Sequence, residues 1–172
     1  MVSFQRIPSL PDLRESHPSD FRLCSLLAMG GECLLAKTLS LTLVRVQYII
    51  PHLFGIENLT VYTNGVDTAM RLSETNVRVI CTGGELLKDS MAYVGQHAID
   101  AVRRVYFDAM FFSSAGFDES KVSDWSEAET VLRRVVMEQS EKRYFLADMS
   151  KKGKRFTHIV CSVNELDEII CE

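Results

Sequence analysis

Long apolar runs are absent from this sequence. The longest, residues 23–29 and 41–50, are short or interrupted by Arg45 and Gln47, well below the ~20 apolar residues that a membrane-spanning helix needs. The opening stretch, MVSFQRIPSLPDLRESHPSD, also lacks the charged-then-apolar order of a signal peptide, so the expectation is a cytoplasmic protein without a membrane partner. Paired cysteines are missing too. The five cysteines, Cys24, Cys33, Cys81, Cys161 and Cys171, are odd in number, widely spaced and form no C-x-x-C pair. They read as small buried hydrophobes in a reducing compartment rather than as a disulfide framework. His17, His52, His97 and His158 lack ligand spacing, and neither a metal nor a cofactor is expected. Nor is there a basic face: 19 Lys and Arg stand against 23 Asp and Glu, a net charge of −4, which argues against direct grip on nucleic acid. Repeats and low-complexity segments are likewise absent.

What is present suits one soluble domain. At 172 residues, with 47% hydrophobic and 24% charged, the chain can bury a sizeable core but is short for two domains. Its organising stretch is residues 60–95. Two β-branched and aromatic runs, 60–63 and 77–81, stop abruptly at Asn64-Gly65 and at Gly83-Gly84. Between them Val66, Ala69, Met70 and Leu72 mark one face of a helix, with Asp67, Arg71 and Glu74 on the other. In a strand–helix–strand crossover, Asn64 and the glycine pair would share the carboxyl edge of a parallel sheet, where open α/β sheets take small ligands. Two readings stay open for these residues. They are turn formers, or they present an amide and unobstructed backbone N–H groups to an anion.

Along the rest of the chain, residues 1–16 read as an arm or linker, and 17–172 as the domain. A helix is expected over 19–29, closed by Gly30-Gly31, then a first strand over 32–36. Residues 37–42, KTLSLT, would lead from that strand into a helix reaching about Leu53. There the hydroxyls, Thr38 and Ser40 among them, would hold a phosphate, or Ser40 or Thr42 would merely cap the helix. A helix over 93–105 precedes DAMFFS at 108–113, apolar enough for a strand covered on both faces and ending in Ser114-Ala115-Gly116. Residues 117–125 read as a polar loop holding the single tryptophan, Trp125. Ser126 and Glu129 form a capping-box pattern, followed by a core stripe of Ala128, Val131, Leu132, Val135, Val136 and Met137. Strands are expected at 143–147, 157–161 and 168–171, the first followed by the basic cluster that contains Lys151. About six or seven strands alternating with about four helices predict a three-layer α/β fold with a mainly parallel sheet. The candidate ligand groups all follow strands. Hydroxyls, an amide, a glycine pair and a lysine suit a phosphorylated, hydroxyl-rich small molecule.

Taken in order, TVYTNG, VICTGGELLKDSMAYVG, FDAMFFSSAGFD, EAETVLRRVVMEQS and YFLADMSKKGK resemble the effector domain of DeoR-family bacterial transcriptional regulators. The resemblance implies a fold of the ribose-phosphate isomerase and CoA-transferase type, a phosphorylated sugar or related metabolite as ligand, and assembly into homo-oligomers. It implies that DNA is contacted only through a helix-turn-helix that this sequence does not contain. It also implies site roles: Asn64, Gly83 and Gly84 at the ligand, with Glu85 in the same motif; Ser90 and Gly116 lining the cleft; Lys151 neutralising anionic charge. Two departures stand out. Ala36 occupies the place of the family's first-strand aspartate, with leucines interrupting the hydroxyls after it. The loop at 117–125 is short and lacks the family's glycine followed by Thr or Ser. Besides sensing, two other functions are open: a sugar-phosphate isomerase, for which Asp118 and Glu85 are the candidate carboxylate bases, and a binding-defective homologue acting by assembly with a full-length regulator.

Overall fold

The run FDAMFF is the centre of the structure. In the computed structural model, which describes residues 38–42, 49–53 and 56–171, it lies inside a six-stranded parallel sheet. The arm expected over 1–16, the helix over 19–29, and the strand over 32–36 with Ala36 at its end lie outside the described residues.

The described elements begin β1 (Thr38–Thr42), α1 (Ile50–Leu53), β2 (Thr60–Thr63), α2 (Val66–Leu72), β3 (Arg78–Cys81), β4 (Glu85–Leu87), β5 (Ala92–Val94) and α3 (Gln96–Val102). They continue β6 (Phe107–Phe112), β7 (Gly116–Phe117), β8 (Lys121–Asp124), α4 (Glu127–Glu138), β9 (Ser140–Ala147), β10 (His158–Ser162) and β11 (Glu168–Cys171). The main sheet runs β11-β9-β6-β1-β2-β3, every pair parallel. This is the expected α/β class, with a mainly parallel sheet.

Because side chains alternate across a strand, the two faces of β1 and β6 feed separate cores. Leu39, Leu41, Ala109 and Phe111 join Val61, Leu53 and Leu72 on one face. Met110 and Phe112 join Leu132, Val136 and Phe145 on the other. Phe107, Phe111, Phe112 and Phe145 are completely buried. At about 1.5–3 kcal/mol per buried large apolar side chain, these two layers are the main source of stability. Among the described residues no helix is long and apolar enough to cross a membrane.

Several local expectations give way to pairing. The helix expected over 93–105 is α3 alone, since Tyr93 and Val94 pair with Glu85 and Leu86 in an antiparallel hairpin, and Gly95 turns the chain at φ 85°. The 117–125 segment is no loop: β8 lies between β7 and β10 in a small antiparallel sheet that buries Val122, Ser123 and Asp124. The strand expected at 157–161 is β10, and it joins this sheet rather than the parallel one. The capping box at α4 is half formed. Ser126 Oγ accepts from Glu129 N–H at 3.3 Å, but the Glu129 carboxylate turns to Arg133 at 3.2 Å. Ala128 and Val131 are exposed, and the buried stripe runs instead through Glu129, Leu132, Arg133, Val136 and Met137.

Candidate functional site

The order of the sheet dictates where a ligand fits. From β1 the chain adds β2 and β3 on one side, then crosses to β6, β9 and β11 on the other, so the direction of winding reverses between β1 and β6. Divergent connections leave a crevice outside the carboxyl ends of two such strands. Thr42 ends β1, in register with Phe112, the last residue of β6 before Ser113 and Ser114. Asn64 follows β2, Thr82 to Gly84 follow β3, and Lys151 follows β9 through a short 3-10 turn, Met149–Lys151. All five strand ends lie on one edge.

Thr42 is 3% exposed and Asn64 2%. Among the described residues, neither Thr42 Oγ1 nor Asn64 Oδ1 has a hydrogen-bond partner. A buried polar atom left so costs about 1–3 kcal/mol, and nearly all such atoms in folded proteins are satisfied. The rest of Asn64 is engaged: its carbonyl accepts from Tyr93 N–H at 2.7 Å, and its Nδ2 donates to the Tyr93 carbonyl at 3.1 Å. These bonds, with Val66 N–H to the Met91 carbonyl at 2.9 Å, dock the β4–β5 hairpin against the end of β2 and fix the amide, its oxygen unused among the described residues. Ser90, in the turn of that hairpin, also carries a buried Oγ with no partner among the described residues.

Lys151 supplies the positive charge. Its ammonium donates to Ser113 Oγ at 3.0 Å and to the Ser114 carbonyl at 2.6 Å, spanning the ends of β9 and β6. Asp148 holds the 3-10 turn by accepting from Ser150 N–H at 2.6 Å. Gly83 has φ +64°, with nothing within 4 Å of where a Cβ would stand, so its backbone is open to approach. Gly84, at φ +113°, is a packing residue: a Cβ there would run into the Val94 carbonyl.

Other expected positions fall elsewhere. Thr38 and Ser40 are not in a strand-to-helix turn, because the alternation TLSLT is itself the central strand. Thr38 opens β1 at the opposite edge of the sheet, its N–H bonded to Asp108 Oδ2 at 2.8 Å, and Ser40 is buried mid-strand between Tyr62 and Met110. The position at the end of the central strand is therefore held by Thr42, not Ala36. Gly116 packs beneath the Lys154 carbonyl, which a Cβ would meet at 2.5 Å, so its lack of a side chain serves the fold. Glu85 is exposed in β4. Asp118 caps its own turn, accepting from Ser120 N–H, Lys121 N–H and Arg155; those hydrogen bonds hold its carboxyl far below the usual range, which makes it a poor proton acceptor.

Sequence reasoning gave Thr42 only as a possible helix cap, and missed Ser113 and the buried group behind them. Asp124 Oδ2 accepts from Ser114 Oγ at 2.9 Å, Ala115 N–H at 3.2 Å and Arg133 Nη1 at 2.9 Å, while Oδ1 accepts from Ser126 N–H at 3.1 Å. Burial pushes the Asp124 carboxyl up, but Arg133 and these donors outweigh it and hold it below its ordinary value. Burial likewise pulls Arg133 down, against the two carboxylates that face it; the guanidinium stays charged near neutral pH. The signal for Arg133 was its spacing, i+4 from Glu129 and i−3 from Val136 on the core-facing stripe.

Comparison with known proteins bears on the family and the fold. The DeoR C terminal sensor domain family matches over residues 45–172. Among relatives, the uncharacterized HTH-type transcriptional regulator YgbI of Escherichia coli is 28% identical over 88% of this chain and 58% of its own length. YulB of Bacillus subtilis, also an uncharacterized HTH-type transcriptional regulator, is 35% identical over 66% of this chain and 45% of its own length. The lactose phosphotransferase system repressor of Staphylococcus aureus is 29% identical over 66% and 47%. The chain thus spans about half the length of these relatives. Two solved structures share the fold: ribose 5-phosphate isomerase A from Neisseria gonorrhoeae, with TM-score 0.52, 11% identity and coverage of 80% of this chain and 53% of that one, and the Plasmodium falciparum enzyme, with 0.50, 12%, 78% and 52%.

Proposed function

The chain belongs to the DeoR C-terminal sensor domain family, and from that premise we propose that the cleft outside β1, β2, β3 and β6 binds a phosphorylated sugar or related metabolite to control transcription. One observation carries this reading. Two neighbouring strands end in buried polar atoms, Thr42 Oγ1 and Asn64 Oδ1, unpartnered among the described residues, on the edge that also holds Lys151. An amide oxygen can only accept, a hydroxyl can do both, and an ammonium can only donate. Together they ask for hydroxyl donors beside an anionic group. The open backbone at Gly83 adds an approach for phosphate or carboxylate oxygens.

The relatives' names include a sugar phosphotransferase system repressor, which favours the same ligand class. In this reading DNA contact belongs to a helix-turn-helix of the kind those names describe, and the domain works as a homo-oligomer. An isomerase on this fold needs a carboxylate base in the cleft. Asp118 is tied into its own turn and Glu85 is exposed on the hairpin, so neither carries that role.

The test is a thermal-shift and calorimetric screen of the chain against pentose and hexose phosphates, with Lys151→Ala beside it. A ligand that binds only the folded state raises the melting temperature by mass action. A shift with one class of sugar phosphate, lost in Lys151→Ala, is the expected result. A cooperatively melting protein that responds to none of them overturns the reading and favours the partner that acts by assembly alone.

A further inference from the structure

The charged group beneath the cleft has no role in binding as described so far. Asp124, Glu129 and Arg133 are 2%, 3% and 1% exposed. Such a group is a poor stabiliser: apolar residues of similar volume commonly do as well or better, because taking three charges out of water costs more than their attraction returns. Here the cost is raised further, since Arg133 Nε and Glu129 Oε1 are buried without partners among the described residues. What the arrangement does achieve is connection. One carboxylate, Asp124, gathers donors from three places: Ser114 and Ala115 after β6, Ser126 at the cap of α4, and Arg133 within α4. Ser114 is also the residue whose carbonyl receives the Lys151 ammonium.

Resting on the cleft reading above, we propose that Asp124 and Arg133 are positioning residues: they hold residues 113–115, and Lys151 through them, at the mouth of the cleft, and they carry any displacement of that segment to the first turn of α4. Ser114 is the junction. Its carbonyl faces Lys151, and its hydroxyl lies between the Asp124 carboxylate at 2.9 Å and the Ser123 carbonyl at 2.8 Å, both at the end of β8, so movement of the lysine toward an anion pulls on that strand end and on the carboxylate it carries. Asp124 is followed directly by Trp125, 55% exposed. Movement at Asp124 therefore reaches the surface within one residue, at the chain's single tryptophan.

The experiment has two arms. In the first, hydrogen exchange of the ligand-free chain is followed by mass spectrometry for wild type, Ser114→Ala and Asp124→Asn. Ser114→Ala leaves the charged group whole and is the variant to rely on if Asp124→Asn does not fold. Exchange across residues 113–117 and 149–151 should quicken about tenfold in either variant, the worth of one hydrogen bond to a charged group, with 60–63 and 78–81 unchanged. Unchanged exchange at 113–117 overturns the proposal. In the second arm, D-ribose 5-phosphate, D-glucose 6-phosphate and inorganic phosphate are titrated by calorimetry and by Trp125 emission. Expected are parallel curves in wild type, and in Ser114→Ala about tenfold weaker binding with the emission change lost. Binding seen by calorimetry with no emission change in wild type, or equal binding in both proteins, also overturns it. Faster exchange in the variants without binding of any sugar phosphate to wild type would keep the positioning role and strike the sugar-phosphate reading of the cleft instead.

Discussion

Thr42→Val is the substitution in which stability and binding should move in opposite directions. Valine keeps the β-branched shape that β1 prefers and replaces only the hydroxyl. In most buried threonines that exchange is destabilising, because a hydrogen bond is lost. At Thr42 the described residues offer no bond to lose: the side chain is 3% exposed and its Oγ1 has no partner among them. Removing an unsatisfied buried hydroxyl relieves a desolvation cost of about 1–3 kcal/mol, of which we expect about 1 kcal/mol to appear as added stability. For a chain of 172 residues that corresponds to a melting temperature higher by about 2–4 °C. Urea unfolding followed by circular dichroism at fixed protein concentration should give a higher midpoint with the same slope. Affinity for the sugar phosphate proposed to bind should fall about tenfold, one hydrogen bond's worth. Ser40→Ala, on the same face of the same strand but two residues inside it, should leave affinity unchanged. A destabilised Thr42→Val protein, or one that binds as tightly as wild type, would refute the assignment of the strand end as the ligand's place.

Arg133→Met leaves Asp124 and Glu129 buried and uncompensated, so it should cost about 3–5 kcal/mol in urea unfolding, while adding Asp124→Asn and Glu129→Gln to it should recover most of that loss. The Asp124 carboxyl is held below its value in the unfolded chain, about 4, so its contribution is complete above that pH and disappears as pH falls through the folded value; Asp124→Asn should flatten the acid limb of the stability curve below about pH 4 and leave its neutral shape intact. Gly84→Ala should destabilise by about 2 kcal/mol or more, since the new Cβ meets the Val94 carbonyl at φ +113°, whereas Gly83→Ala, in open space at φ +64°, should cost about 1 kcal/mol. Burial pushes the Cys161 thiol up to about 12, and Cys81 is exposed; alkylation of the folded chain at neutral pH, mapped by peptide mass, should modify Cys81 and spare Cys161.

Elements whose patterns are local were legible before the structure. The runs ending at Asn64 and at Gly83-Gly84, the apolar FDAMFF and the strand before Lys151 all stand where they were expected, and so does the edge that joins Asn64, Gly83 and Lys151. Misreadings came where a partner decides. The hydroxyls of segment 38–42 suggest a cap at a strand-to-helix turn, although its strict alternation of Thr, Leu, Ser, Leu and Thr is the period of a strand; only pairing with β2 and β6 settles which end of it lies on the edge of the candidate cleft. Residues 121–124 looked polar enough for a loop, because a strand in a small sheet can bury Ser123 and Asp124 once β7 and β10 satisfy its backbone. The same kind of context hid Arg133. Its helical spacing put it on the core side, but a charged residue is admitted there only by its partners, and one of the two, Asp124, is nine residues away on another element.

The proposed sensing role also accounts for why these costly features lie together. A ligand shifts a conformational equilibrium only by the difference in its affinity for the two states. Had Thr42 and Asn64 been satisfied within the protein, a sugar hydroxyl would gain little by replacing one partner with another. Unpartnered among the described residues, each would offer a ligand about 1–3 kcal/mol, and two of them approach the energy needed to move a balanced equilibrium almost completely to one side. That gain is local to β1 and β2, whereas the charge that would meet the anion is on Lys151, beyond β6. A ligand reaching both would draw the two halves of the sheet together across the point where the chain reverses its winding. Residues 113–115 lie on that line, fastened to Lys151 on one side and to Asp124 and Arg133 on the other, so the most strained response to closure falls on the segment already wired to α4.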